Sequence, residues 1–180
     1  MLDEAARLAD EVGLDRLTLA TVAQHLGVAL PSLYKHVRGA DALRRGLATR
    51  AVVELAGEIR SAAVGKARTE ALRALADAYR GYARRHPGRY AASLRAPDPE
   101  DGDHVAAGEA AVGVAFAVLA GYGLSGRAAV DATRMLRSAL HGFVDLEAKG
   151  GFGLPQDVDR SFALLVDALD SAFTDWPDRT

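Results

Sequence analysis

The stretch from Thr18 to Val37 constrains the fold more than any other part of the chain. Its first half repeats apolar residues at helical spacing between Leu19 and Leu26, and Gly27 then ends the helix because glycine readily adopts a positive φ. A second apolar pattern follows at once, and Pro31 fits only near the start of that second helix. Two short helices joined by a tight turn are the arrangement that lays a helix in the major groove of DNA. A helical hairpin that only packs has the same spacing, so spacing alone leaves both interpretations open.

Composition indicates a soluble globular protein. Hydrophobic residues make up 49% and charged residues 26% of the chain, and there is no cysteine, so disulfides and thiolate chemistry are excluded. A reducing compartment suits such a chain. The acidic, amphipathic start is unlike a signal peptide, and no apolar run approaches the length of a membrane span. We therefore expect a cytoplasmic protein with no membrane partner.

Helical periodicity runs through almost the whole sequence, and no segment alternates as a half-buried strand would. We predict an all-α fold of about nine helices in two domains, residues 1–60 and 61–180. The boundary falls where SAAVGKAR, residues 61–68, weakens the helical pattern. The predicted helices are approximately 2–12, 18–26, 30–37, 41–59, 69–85, 89–94, 104–120, 127–149 and 157–175.

The balance of charge shifts along the chain, although the formal net charge is only −2. The segment from Lys66 to Arg95 contains eight lysines and arginines but only two acidic residues, Glu70 and Asp77. Such a run can contact phosphates, but a solvated helix face is the commoner cause, and we expect the latter here.

No enzyme motif accompanies these helices. No histidine pair has metal-ligand spacing with a third ligand nearby, and neither a glycine-rich phosphate loop nor a nucleophile elbow is present. We therefore predict a non-enzymatic protein without a cofactor or a metal.

The N-terminal third resembles the tetracycline-repressor (TetR) family of bacterial regulators. The resemblance extends over a first helix that covers the two short helices, and over those two helices themselves. It depends on a glycine, a Leu-Tyr pair and a histidine at the family's spacing. The residues that carry it are Ala5-Ala6, Gly13, Leu17-Thr18-Leu19, Val22-Ala23, Leu26-Gly27-Val28, Ser32-Leu33-Tyr34, His36-Val37 and Leu43.

Two later segments resemble the WHG-type regulatory domain that many such proteins carry. They are HPGRYAAS at residues 86–93 and LHGFVDLEAKGGFG at residues 140–153. That type often has tryptophan before His-Gly, where this chain has Leu140. The resemblance thus implies an N-terminal helix-turn-helix domain followed by a helical ligand-binding and dimerisation domain.

The resemblance implies a DNA site on and around the third helix. Ser32 and Lys35 can reach bases or phosphates, and the apolar residues before them can touch thymine methyl groups. The aromatic and histidine side chains would contact phosphates and fix the register. The implied DNA-binding residues are Thr18, Ala29, Leu30, Pro31, Ser32, Tyr34, Lys35, His36 and Arg38.

Two departures from the family pattern bear on phosphate contacts. The family usually offers a lysine at the start of the fourth helix, where this chain has Ala40 with Arg38 nearby. It also usually carries a basic arm before the first helix. Either such an arm precedes Met1 in the natural protein, which we expect, or this regulator binds DNA weakly. Each lost phosphate contact lowers affinity and reduces its dependence on salt.

The C-terminal part is expected to bind a small-molecule inducer and to form a homodimer. Candidate ligand contacts are Tyr79, Tyr82, Tyr90, Phe116, Met135 and His141, each of which can equally be a packing residue. Apolar stripes on the last two helices predict a dimer interface at Leu136, Leu140, Phe143, Phe162, Leu165 and Leu169. The predicted function is a repressor that leaves a palindromic operator when the inducer binds. The alternative is a helical ligand-binding or scaffold protein whose helix-turn-helix no longer binds DNA.

Overall fold

Helices account for all the regular structure in the computed structural model, which describes residues 1–178. Within these residues there are nine α-helices, one 3₁₀ turn at Leu14–Arg16 and no strand, which confirms the all-α prediction. The helices are α1 (Leu2–Val12), α2 (Leu19–Leu26), α3 (Leu30–Leu33), α4 (Ala40–Ala63), α5 (Arg68–Arg85), α6 (Pro87–Ser93), α7 (Gly102–Ala120), α8 (Gly126–Ala148) and α9 (Val158–Thr174).

Two helix ends differ from the sequence prediction. The third helix was expected to reach Val37, but α3 ends at Leu33 and a hydrogen-bonded turn continues the coil, with the Val37 amide donating to the Leu33 carbonyl at 3.0 Å. After Leu33 the His36 amide donates to the Leu33 carbonyl at 2.9 Å, an i to i+3 bond of the tighter 3₁₀ kind, so the regular α-helical pattern stops there. In contrast, α4 continues past Ile59 to Ala63, because the alanine-rich end of the helix has high helix propensity.

The chain packs as two compact units. One consists of Met1–Leu55 with Arg85–Glu109, and the other of Ala56–Arg84 with the residues from Ala110 onward. The first unit therefore includes α6 as well as the helices expected for a DNA-binding domain. The predicted boundary at residue 60 separates a DNA-binding domain from a regulatory domain, and this functional division stays a prediction.

The core of the first unit is built from alanines and leucines that let helices approach closely. Ala5 and Ala9 of α1, Val22 of α2 and Leu47 of α4 are fully buried in one cluster. At Gly88 of α6 the approach is so close that a Cβ atom would lie 2.0 Å from the carbonyl oxygen of Ala9. Only glycine fits at that position.

An ion-pair network joins α1, α4 and α6 within the same unit. The Asp10 carboxylate accepts hydrogen bonds from the Arg89 amide at 2.9 Å and from Arg89 Nε at 2.7 Å. Arg89 Nη1 also donates to Glu54 Oε2 at 2.9 Å, and Glu54 accepts a second bond from Arg50. Burial alone would raise the pKa of Glu54, but the bonds from Arg50 and Arg89 outweigh it and hold that pKa below its ordinary value.

The second unit is organised around a buried arginine. Arg80 of α5 donates to Glu147 of α8 at 2.5 and 2.9 Å and to Asp159 of α9 at 2.7 Å. Its guanidinium also lies over the rings of Phe162, at 4.7 Å, and Phe143, at 5.5 Å. These bonds raise the pKa of Arg80 and lower that of Glu147, in each case chiefly through the hydrogen bond between the two.

The basic segment from Lys66 to Arg95 is mainly a solvated face, as predicted, because six of its eight cations are exposed; Arg80 and Arg89 are the exceptions. Arg80 is only 8% exposed, and Arg73 and Arg89 also pair with carboxylates far away in the sequence. A count of charges within one segment cannot reveal partners that folding brings from elsewhere.

One helix departs from the expectation that no segment approaches a membrane span. By length and composition alone, α7 would be long and apolar enough to cross a membrane. A third of its apolar window is buried, and a single helix of this kind is weak evidence for a span.

Candidate nucleic-acid interface

Local hydrogen bonds fix the position of α2 in the helix-turn-helix. The Thr18 hydroxyl accepts from the Thr21 amide at 3.1 Å, and the Thr21 hydroxyl accepts from the Thr18 amide at 3.0 Å, which forms a capping box. The predicted cap at Thr18 is therefore present. The Thr-x-x-Thr spacing is the sequence signal from which its partner, Thr21, could have been predicted. Thr18 is exposed, so its side chain also lies at the surface.

The turn between the two helices depends on Gly27. Its φ of 67° and ψ of 27° are left-handed, a conformation that costs glycine little and other residues more. The Val28 amide then donates to the Ala23 carbonyl at 3.0 Å, which closes the end of α2. The chain thereby reverses in three residues and enters α3 at Leu30.

Burial divides the segment around α3 into an inner and an outer side. Leu33 and Val37 are 3% and 8% exposed and belong to the core of the first unit, with Leu30 half-buried beside them. Tyr34, in contrast, is 56% exposed. We call the outer side the recognition face; its exposed members are Ala29, Pro31, Ser32, Tyr34, Lys35, His36 and Arg38.

Two cations of the recognition face, and the exposed Arg44 near the start of α4, are not paired with carboxylates of the described residues. Lys35, Arg38 and Arg44 form no ion pair among residues 1–178, whereas Arg45 and Arg95 both pair with Asp41. Arg44 was missed by the sequence analysis, because only the fold shows that it is exposed and unpaired. These three cations are therefore accessible to phosphate groups.

The predicted ligand contacts occupy different environments. Tyr79 and Tyr82 are buried in the second unit, and Tyr90 is buried in the first. Phe116 and Met135 are exposed at 36% and 41%, which is unusual for core residues. The remaining candidate, His141, is half-buried.

Most of the predicted dimer residues lie inside the chain. Leu136, Leu140, Phe162 and Leu169 are at most 3% exposed. The other two, Phe143 and Leu165, are half-buried. The apolar stripes thus pack largely within the chain, and the dimer interface stays a prediction.

Comparisons with known proteins agree with this geometry. The family model described as "Bacterial regulatory proteins, tetR family" matches residues 1–45, and the one described as "Tetracyclin repressor-like, C-terminal domain" matches residues 72–169. An uncharacterised helix-turn-helix-type transcriptional regulator of Mycobacterium tuberculosis is 38% identical over 97% of this chain and 75% of its own length. A second one, from Bacillus subtilis, is 32% identical over 92% of this chain and 86% of its own length.

Solved structures show the same fold. A protein of unknown function from Rhodococcus has a TM-score of 0.79 at 24% identity, covering 95% of this chain and 92% of that one. The TetR protein of Acinetobacter baumannii has a TM-score of 0.67 at 22% identity, covering 96% and 93%.

The chain therefore is a helix-turn-helix transcriptional regulator with an all-α C-terminal domain. It belongs to the TetR family, which confirms the resemblance, and it is a DNA-binding regulator in a family that is not enzymatic. Members of this family are in general soluble and cytoplasmic, and they are typically dimers with small-molecule ligands.

Proposed function

We propose that this regulator is a cytoplasmic repressor that binds a palindromic operator as a homodimer and leaves it when a small molecule binds. The observation that carries the DNA-binding part is the recognition face, where Leu33 and Val37 point inward and the polar side chains between and beside them are exposed. A helix anchored on one side and polar on the other fits the major groove.

The residues of the recognition face divide into base-reading and positioning groups. Ser32 and Lys35 have donors that can reach base edges, while Ala29 and Pro31 offer only apolar contact to thymine methyl groups. Tyr34, His36, Arg38 and Thr18 hold phosphates and fix the register without reading sequence. In this assignment Leu30 serves mainly to anchor the start of α3, since it is half-buried.

A dimer follows from the way DNA is read. Two recognition helices must lie about 34–36 Å apart to enter successive turns of one face of the duplex. The outer side of α9 supplies the surface for this pairing: Leu164 is 57% exposed, Ala168 is exposed, and the half-buried Leu165 lies beside them. Leu164 and Ala168 are one helical turn apart, so they lie on the same side of α9, and a contiguous apolar patch of this kind is where two copies can associate about a twofold axis.

Release by a ligand is proposed from the family and from one solved relative. A variant of the Acinetobacter TetR protein has been solved in complex with minocycline, and its TM-score to this chain is 0.70. A ligand acts by favouring a state in which the two recognition helices do not match the half-sites.

A gel-shift titration against the DNA upstream of the protein's own gene tests the proposal. We expect a shift that prefers this DNA over a scrambled duplex and that weakens steeply between two salt concentrations, because phosphate contacts release counterions. No shift even at low salt would support the scaffold alternative instead.

A further inference from the structure

An open groove lies within the second unit, away from the predicted ligand residues. Its walls are the end of α4, the link to α5, the start of α5, and one side of α7, and its volume is about 500 Å³. This volume lies within the range of small-molecule sites, roughly 300–1,000 Å³. None of the six aromatic, methionine and histidine candidates lines it.

Small side chains on α7 keep the groove open. Gly113 and Ala117 face it, together with the apolar Val114 and Val118, and Gly121 lines it just after the helix ends. A Cβ atom built on Gly113 would meet nothing within 4 Å, so the space next to the helix backbone is empty. Because α7 follows the groove from Ala110 to its end at Ala120, its apolar wall is about 15 Å long at 1.5 Å per residue.

The charges of the groove come from one wall and have one sign. Arg60 and Lys66 line it on the side of α4 and the link, whereas the α7 wall contributes no charge and no lining residue is acidic. Lys66 Nζ donates to the Ala62 carbonyl at 2.7 Å, and neither cation forms an ion pair with a carboxylate in the described part of the chain. An occupant that satisfies this lining has a long apolar part and an anionic head.

We infer that the groove binds a free anionic amphiphile, with its hydrocarbon chain along α7 and its carboxylate or phosphate head on Arg60 and Lys66. A neutral hydrocarbon leaves the two cations unused, and a cationic ligand is repelled by them. This inference names the class of effector in the proposed function and rests on that proposal only for its regulatory consequence.

Calorimetric titration of the full chain without DNA tests the site directly. The probes are laurate and dodecyl phosphate, kept below their micelle concentrations, with dodecanol as the uncharged control and acetate as the head group alone. We expect saturable binding of at least one of the two anions, binding of dodecanol weaker by about tenfold, and none of acetate.

Two matched pairs of variants locate the binding. Gly113→Leu places a side chain in the groove and should weaken binding of the anion by at least about tenfold. Gly108→Leu, on the same helix but outside the groove and also with free space around its Cβ, should not. The double variant Arg60→Glu/Lys66→Glu should weaken binding of the anion but not of dodecanol, whereas the exposed control Arg127→Glu should change neither.

The outcomes separate the groove from the proposed function. No saturable binding, or binding unchanged by both Gly113→Leu and the charge reversal, would overturn the inference while leaving DNA binding untouched. If Gly113→Leu instead converts a dimer into a monomer, the groove is an interface between copies and the inference is wrong.

Should Gly113→Leu fail to fold, the double charge reversal decides, since both residues are exposed. Laurate that binds in the groove without releasing operator would support the site and contradict only its role as the inducer site.

Discussion

The helix-turn-helix and the α8–α9 hairpin are both pairs of consecutive helices with a buried apolar stripe, yet their outer sides differ. Around α3 the exposed residues are polar or cationic, apart from small apolar residues and Tyr34. On α9 the exposed side carries Leu164 and Ala168, flanked by the exposed Ser161 and Ser171. The buried stripes specify only that each pair packs; in the proposed function the outer side around α3 meets phosphates and bases, and the outer side of α9 meets a second copy of the chain.

The two regions are also held in place by different means. In the first unit, α6 approaches α1 so closely that backbone meets backbone at Gly88, and Arg89 adds ion pairs to Asp10. In the second unit, the hairpin is tied to α5 through the side chain of Arg80. A residue in such close steric contact cannot be replaced by a larger one, whereas the stabilisation that an ion pair contributes depends on pH. The following variants exploit that difference.

The largest effect is expected from Gly88→Ala. The added Cβ would lie 2.0 Å from the Ala9 carbonyl oxygen, so α1 and α6 must separate and lose their packing. We expect the free energy of unfolding to fall by about 4 kcal/mol. Gly57→Ala is the control: this glycine lies inside α4 with nothing within 4 Å of a Cβ, and alanine there should stabilise by about 0.5–1 kcal/mol. Urea unfolding at a fixed protein concentration measures both. Equal stability of the two variants would show that the close approach does not hold α6.

Arg80→Met should destabilise by about 3 kcal/mol at neutral pH, because it leaves the largely buried Glu147 carboxylate without its partner. The arginine lowers the pKa of Glu147 in the folded state, so the stability it contributes is present above the ordinary glutamate value of 4.5 and is lost as pH falls through the lower folded pKa. The difference between wild type and variant should therefore shrink below about pH 4.5. Unfolding curves across this range measure it, and a difference independent of pH would contradict the ion-pair explanation.

Leu164→Glu tests the other side of the comparison, the apolar outer face of α9. Leu164 is 57% exposed, so the chain should fold normally while a charged pair opposes association. We expect a monomer in sedimentation and an operator affinity lower by at least about a hundredfold, or roughly 2.7 kcal/mol. Leu165→Glu should act in the same direction, whereas Leu169→Glu should unfold the protein because Leu169 is buried. A folded Leu164→Glu variant that remains a dimer would place the interface elsewhere.

How much the sequence predicted also differs between the two regions. The helix-turn-helix was predicted closely, including the cap at Thr18 and the turn at Gly27, because caps and turns are local signals. The partners of Arg80 and Arg89 were not, since a contact between residues 67 or 79 positions apart leaves no local pattern. Periodicity has a related limit on α8 and α9: it finds the apolar side of a helix, but it does not reveal that the chain's own helices already bury four of the six residues predicted for the dimer interface. The interface itself stays a prediction.

The smallest expected effect, and the sharpest test of the recognition face, comes from Lys35→Ala. Lys35 is exposed and has no carboxylate partner among the described residues, so its removal should leave the unfolding free energy unchanged within about 0.5 kcal/mol. If Lys35 holds a phosphate, operator affinity falls by a similar factor on specific and scrambled DNA, and the slope of log affinity against log salt drops by about 1. If Lys35 reads a base, the loss of affinity appears on the operator alone and the salt slope stays nearly constant.

The control is Lys149→Ala, which removes a lysine paired with Asp145 at the end of α8 and should change neither the affinity nor the salt slope. A Lys35→Ala variant indistinguishable from Lys149→Ala on both DNAs would show that Lys35 contacts neither phosphates nor bases. The contrast between a DNA-binding outer side around α3 and a protein-binding outer side on α9 would then not hold at that position.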